Sequence, residues 1–181
     1  METANKPKKK EKRMGREILS WAGTLAAALV IALVIRSFVF TFIAVKGKSM
    51  QETLQNGDRL YVSILTARIS GYERGDVVIC RYPGRSDYCV KRVIGLPGDV
   101  IAARNGVIYL NGEPLKEDYV SPLHAAHYDY PETALGEDEY FLLGDNRAIS
   151  HDSHSADVGP VTDIVGKARA IIWPPAHISA L

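Results

Sequence analysis

Between Ile18 and Ile35 the chain reads ILSWAGTLAAALVIALVI, a run without a single charge that only Ser20, Gly23 and Thr24 interrupt. As an α-helix this run is ~27 Å long, and a second apolar run beyond Arg36, from Phe38 to Val45, brings it to the ~30 Å of a bilayer's hydrocarbon core. The pattern predicts one N-terminal transmembrane helix. A cleaved signal peptide is the first alternative, but its apolar stretch covers only ~7–15 residues and ends in a small-x-small site, and none stands before Arg36. A buried core helix is the second.

Charge sets the expected orientation. Through Glu17 there are seven cations (Lys6, Lys8, Lys9, Lys10, Lys12, Arg13, Arg16) and three acids (Glu2, Glu11, Glu17), a net +4, so the remainder sums to −3 within the overall +1. Cations immediately before an apolar span predict a cytoplasmic N-terminus and an external C-terminal body, with Trp21 near the inner interface. A basic tail alone would also fit nucleic acid, but the span directly behind it assigns the lipid bilayer as its partner and no nucleic acid. The expected organisation is a basic cytoplasmic tail over 1–17, an anchor over 18–45 and an extracytoplasmic body over 46–181.

With 46% hydrophobic and 24% charged residues the chain has ordinary globular composition, and two cysteines are too few for a disulfide framework. The body reads mostly as strand. Asp58–Leu65, Asp76–Tyr82, Tyr88–Ile94 and Glu139–Leu143 are rich in β-branched and aromatic residues, with turn signals at Asn56-Gly57, Gly75-Asp76, Pro83-Gly84 and Pro97-Gly98. Asn105-Gly106 and Asn111-Gly112 bracket Val107–Leu110 as two tight hairpins. Residues 113–138, dense in prolines, histidines, tyrosines and acids, read as a surface excursion. A short strand (ARAIIW) precedes Pro174-Pro175. The fold expected is mainly β, an antiparallel β-sheet body with a small β insert at about 101–138, preceded by the transmembrane helix.

The chain has no Gly-x-Ser-x-Gly elbow, no Cys-x-x-Cys, no phosphate loop and no His-Glu-x-x-His, which disfavours the classes built on them. Three segments are unusual for a plain β-domain: VKGKSMQETL (Val45–Leu54), YCVKRVIGLPGD (Tyr88–Asp99) and GDNRAISHDS (Gly144–Ser153). Ser49 follows Gly47 in a segment able to turn tightly, but a serine hydroxyl attacks only with a base beside it. Lys91 lies mid-strand, sharing a face with Cys89 and Val93 by the period of two while Arg92 points the other way. Buried, its amine loses its proton more easily; Arg92 stays charged at any physiological pH and is excluded as a base. Tyr88, Val90 and Ile94 give Arg92 apolar company too, so the pattern leaves open which of the two faces inward.

Taken in order behind an N-terminal anchor, RSFVF from Arg36, VKGKSMQETL, RGDVV from Arg74, VKRVIGLPGDV from Val90, GDNRAISHDS and GPVTDIVGKA from Gly159 make the sequence similar to the type I signal peptidases, the bacterial leader peptidases. The resemblance covers nearly the whole chain after the tail. It implies a membrane-anchored Ser/Lys endopeptidase with Ser49 as nucleophile and Lys91 as general base, and no cofactor or metal. Ser150 would hold the Lys91 amine, and the Ser49 N–H would be an oxyanion donor. Some members add a hydroxyl donor two places before the nucleophile, where this chain has Gly47. Asp145, Asn146, Arg147 and Asp152 would brace the loop carrying Ser150, and Met50 would pack near the nucleophile. The implied body is a β-fold with an apolar face on the membrane, and the implied substrates are exported preproteins cut after small-x-small residues.

Two positions depart from that pattern. Glu52 stands where proline is usual, a loss of preorganisation of ~1 kcal/mol. His154 stands where an arginine usually pairs with the aspartate, so Asp152 is expected to be held less firmly, or only when His154 is protonated. His151, Asp152 and His154 also have a zinc-like spacing without a third histidine nearby, and a Ser153-based triad would need sequence neighbours to meet in triad geometry. Cys80 and Cys89 flank an eight-residue loop where a disulfide or two free thiols both fit. The alternative in another class is a non-cleaving, membrane-tethered assembly factor for surface proteins such as pilins.

Overall fold

The computed structural model describes residues 8–181; the first seven residues of the expected tail, Lys6 and Glu2 among them, lie outside the described residues. The chain divides into two compact units, one ending at Val39 and the other spanning Phe40–Leu181.

The first unit is helix α1, Lys8–Phe38. Its stretch Leu19–Arg36 has a mean hydropathy of 1.9 and buries none of its residues within the protein, with Trp21 and Leu25 exposed on the helix surface. Among the described residues it is the one helix long and apolar enough to cross a membrane. The second apolar run does not lengthen it. Alternating, aromatic-rich Phe40–Ala44 forms strand β1 and pairs with β2, Arg59–Ser63.

The second unit is built on two antiparallel sheets. The larger runs β1-β2-β10-β3-β4-β9, where β3 is Val77–Cys80, β4 Cys89–Gly95, β9 Phe141–Leu143 and β10 Ile164–Trp173, with β11, Ser179–Ala180, pairing β10. The smaller runs β7-β6-β5-β8, from β5 (Val100–Arg104), β6 (Val107–Leu110), β7 (Glu113–Pro114) and β8 (Tyr130–Ala134). Asn105 and Gly106, and Asn111 and Gly112, all have positive φ, as two-residue turns between these strands demand.

Three expectations change. The segment read as the short strand ARAIIW is the end of a ten-residue strand, β10, whose Gly166 and Lys167 mask its apolar pattern; it lies between β2 and β3 and joins the two halves of the large sheet. The run ending at Leu65 stops early, because Leu65–Ser70 forms a short helix, α2. Residues 113–138 are more than an excursion: β8 pairs with β5, Leu135 is buried, and Tyr119, Tyr128 and Tyr130 pack on the cluster of Ile94, Ile101, Ile108, Phe141 and Leu143. Val77 and Ile79 of β3 enter one apolar cluster while Val78 and Cys80 enter another, so this strand is buried on both faces.

Candidate active site

Strands β3 and β4 fix the lysine. Lys91 pairs with Val78 in a ladder that also opposes Val77 to Arg92 and Cys80 to Cys89. Its side chain is turned inward, with the residue only 3% exposed. The opposite face is also covered, because Arg92 forks onto Asp145 through Nε at 2.8 Å and Nη2 at 2.6 Å and donates to the Gly75 carbonyl at 2.8 Å. The two cations are separated by chemistry: the guanidinium is neutralised by a carboxylate, whereas the amine faces a hydroxyl.

Lys91 Nζ donates to Ser150 Oγ at 2.8 Å, and Ser150 Oγ donates in turn to Asp152 Oδ2. Asp152 is fully buried; its Oδ2 also accepts the Gly144 N–H at 2.8 Å, and its Oδ1 lies 2.5 Å from His154 Nδ1. His154 stacks on Tyr128 with ring centroids 4.3 Å apart. A neutral imidazole with its hydrogen on Nδ1 can make this bond as an imidazolium can, so of the two expectations for Asp152, a weaker hold or one that requires a protonated His154, the geometry does not impose the second.

The turn carrying Ser49 is closed by Val45, whose N–H donates to the Asp58 carbonyl at 2.8 Å and whose carbonyl accepts from Gly57 at 2.9 Å. Met50 and Leu54 anchor it in the core and leave Ser49 half-buried. Gly47 adopts φ +94° and its N–H donates to Asn56 Oδ1 at 3.0 Å, so that residue shapes the turn and its amide is already engaged. The Asn146 N–H donates to the Ser49 carbonyl at 3.0 Å, stitching the turn of Ser49 to the loop of Ser150. Gly144 makes this approach possible: a Cβ there would stand 2.2 Å from Ser150 Oγ and 2.4 Å from the Ser49 carbonyl oxygen. Among the described residues no hydrogen bond joins Ser49 Oγ to Lys91 directly; Ser150 holds the amine.

The loop is braced from outside by residues the sequence reading did not single out. Thr53 Oγ1 donates to Asp145 Oδ2 at 2.5 Å. Arg147, nearly buried, donates to the Gly144 carbonyl at 2.9 Å and forks onto Glu117 at 2.9 and 2.5 Å. Tyr119 lies 4.2 Å from the Arg92 guanidinium. Thr53 and Gly144 lie inside the notable segments and were findable there, whereas Glu117 and Tyr119 sit in a stretch without periodicity that only folding brings to the site. Of the zinc-like trio, His154 is on Asp152, whereas His151 turns to Asp157 at 3.1 Å. Ser153 Oγ accepts the Leu142 N–H at 3.0 Å and is fully buried. Cys80 and Cys89 are free thiols.

Burial pushes the Lys91 amine below the ordinary lysine value, although Asp152, Cys89, Cys80 and Asp145 pull it back up. Burial raises the Asp152 carboxyl, but hydrogen bonds from His154, the Gly144 N–H and Ser150, with the charge of Lys91, outweigh it and hold the group ionised below the usual carboxylate range. A cleft of about 470 Å³ opens beside Ser49, lined by Ile43–Lys46 on one side and Ser86–Val90 on the other.

A serine in a tight turn, stitched to the loop that holds a dry lysine amine, can perform acyl transfer with the amine as base, which is the chemistry of Ser/Lys hydrolases. Residues 18–173 match the family described as signal peptidase, peptidase S26. A probable signal peptidase I-2 of Synechocystis is 34% identical over 180 residues, covering 96% of this chain and 82% of that protein. Signal peptidase IB of Staphylococcus aureus strain COL is 34% identical over 177 residues, covering 89% and 92%. A crystal structure of a signal peptidase I from Enterococcus faecalis V583 overlaps 53% of this chain and 95% of that one, at 28% identity and a TM-score of 0.46. The chain belongs to the signal peptidase family, peptidase S26.

Two expected outcomes test this geometry. Gly144→Ala places a methyl where Ser150 Oγ and the Ser49 carbonyl already stand, so catalytic turnover falls sharply while circular dichroism still reports a folded β-body; full activity would show that the two loops need not meet. Because the Lys91 value is depressed on folding, the unfolded chain binds more protons between the folded value and 10.5, and wild-type stability rises with pH across that window. Lys91→Met removes this penalty, so its thermal stability exceeds that of wild type most at neutral pH, and the gap narrows as pH approaches 10.5. A gap constant with pH would mean that the amine keeps its proton in the folded state.

Proposed function

We infer that this chain is a membrane-anchored serine endopeptidase that removes N-terminal signal peptides from exported preproteins, with Ser49 as nucleophile and Lys91 as general base. The observation that carries the assignment of roles is the Lys91 amine, 3% exposed and held at 2.8 Å by a hydroxyl rather than by a carboxylate. In its neutral form it gives one N–H to Ser150 and keeps a lone pair for the Ser49 hydroxyl proton.

As Ser49 Oγ attacks the scissile carbonyl, Lys91 takes that proton and then delivers it to the leaving amine. Water, activated by the same amine, resolves the acyl-enzyme. The Ser49 N–H is the oxyanion donor proposed here, and a donor of this type is worth ~3–4 kcal/mol. The Ser49–Asn146 bond and the missing side chain at Gly144 support bringing the two loops together. Asp145, Arg147 and Asp152 act through the loop they brace, and Met50 fixes the turn from below. The cleft suits an extended segment with small side chains next to the cut, in keeping with small-x-small sites.

The charge-free stretch within α1 serves as the single membrane anchor, with the cationic tail before it cytoplasmic and the β-body outside. The apolar residues exposed on the β-body, Phe42, Trp173 and Ile178 among them, suit a face resting on lipid. A non-cleaving assembly factor is not favoured, because a desolvated amine without chemistry to perform is only a cost to stability.

In detergent, purified protein should cleave a preprotein after its signal peptide, and Ser49→Ala and Lys91→Ala should each lower turnover by about 10⁴-fold or more while leaving the fold intact. Cleavage surviving either change would remove the dyad. Protease added to the outside of intact spheroplasts should digest the β-body and spare an epitope tag at the N-terminus; the reverse pattern would invert the assigned topology.

A further inference from the structure

Cys80 and Cys89 occupy directly opposed positions on β3 and β4, and their Sγ atoms lie 3.5 Å apart. Opposed residues of an antiparallel pair have Cα atoms about 4.5–5.5 Å apart, inside the range a disulfide accepts, so side-chain rotation alone can close the sulfur gap. The two thiols are unequal. Cys80 is fully buried, whereas Cys89 is partly exposed and lines the cleft that also holds Ser49. By the period of two, Cys89 shares the face of Lys91 two residues on.

We propose that Cys80 and Cys89 form a thiol–disulfide exchange site in the wall of the substrate cleft, whose oxidation by a small disulfide such as oxidised glutathione lets Lys91 act as a base at lower pH. In the first step the Cys89 thiolate attacks one sulfur of the oxidant; the Cys89–oxidant S–S bond forms, the oxidant's own S–S bond breaks, and one thiolate leaves. Cys80 then loses its proton and attacks the Cys89 sulfur, expelling the second thiolate. Two protein thiols and one disulfide thus become one protein disulfide and two small thiols, with no other reductant or oxidant.

The electrostatics run the same way. The hydrogen bond from Cys80 lowers the Cys89 thiol to about 7, against burial and with help from Lys91, while the hydrogen bond with Cys89 and burial push the Cys80 thiol up. Cys89 is therefore the attacking group and Cys80 the resolving one. The other ionisable groups acting on the pair are Tyr82, Arg85 and Asp163, and those acting on Lys91 are Asp152 and Asp145. A Cys89 thiolate raises the Lys91 value; forming the disulfide deletes that anion and leaves the carboxylates unchanged, so the amine is neutral over more of the pH range.

This effect on activity rests on the reading of Lys91 as the base, and the test separates the two. Full-length protein in detergent is reduced, then treated with oxidised glutathione, alkylated and weighed. The reduced chain should take two alkyl groups; the oxidised chain should take none and be lighter by two hydrogens, without a covalent dimer. The acid limb of kcat/KM should then move to lower pH on oxidation and return on reduction, and Cys89→Ser should show the lower limb permanently with no redox response. Alkylation of both thiols after treatment, a lasting glutathione adduct on Cys89 beside a free Cys80, or an oxidised pH profile that superimposes on the reduced one would each overturn the proposal. Failure of the Lys91 reading shows elsewhere, in cleavage that survives Lys91→Ala.

Discussion

The site depends on one buried hydrogen bond, from Lys91 Nζ to Ser150 Oγ. A lysine amine taken out of water either keeps its charge beside a carboxylate or gives up its proton. Here Asp152 is one hydroxyl removed and already engaged by His154, the Gly144 N–H and Ser150. Its charge reaches the amine through a side chain that orients it, and desolvation, the larger influence, leaves the amine below the ordinary lysine value. A direct Lys91–Asp152 ion pair would instead hold the proton on the amine.

The arginines solve the opposite problem. Arg92 and Arg147 cannot lose their charge, so each is closed by a carboxylate in a forked geometry, Arg92 by Asp145 and Arg147 by Glu117. Removing one partner of so covered a pair would leave a charge without compensation, which gives these pairs their hold on the loops. Through them the insert, strand β4, the nucleophile turn and the loop of Ser150 are tied together around Gly144. Adjacent positions 91 and 92 hold a cation-former whose proton burial loosens and a cation that a carboxylate closes, because a strand turns them to opposite faces.

Legibility of this arrangement in the sequence varied with the range of the interaction. Local signals were clear. The apolar run gave helix α1, the Asn-Gly pairs gave the turns of the small sheet, and Ser49 and the loop 144–153 stood out as segments a plain β-body does not need. Signals failed where a residue's role is set by a distant partner. Strand β10 looked short because Gly166 and Lys167 break its pattern, yet a Cβ at Gly166 would stand 2.8 Å from the Ser63 carbonyl, a constraint visible only once β2 lies beside it. Glu117 and Tyr119, in a stretch with no period, were invisible until the chain carried them to Arg147 and Arg92.

By itself the sequence determined the charge-free span and the antiparallel β character of the body, because these follow from composition and spacing along the chain, while the Ser49 and Lys91 pair was singled out by the likeness of three ordered segments to the type I signal peptidases. Which of Lys91 and Arg92 meets the hydroxyls, whether Asp152 needs a charged partner, and how close the turn of Ser49 comes to Ser150 were decided only by tertiary structure. Desolvation and hydrogen bonding depend on what surrounds an atom in space, and the partners of Lys91 and Arg92 come from 59 and 53 residues away along the chain.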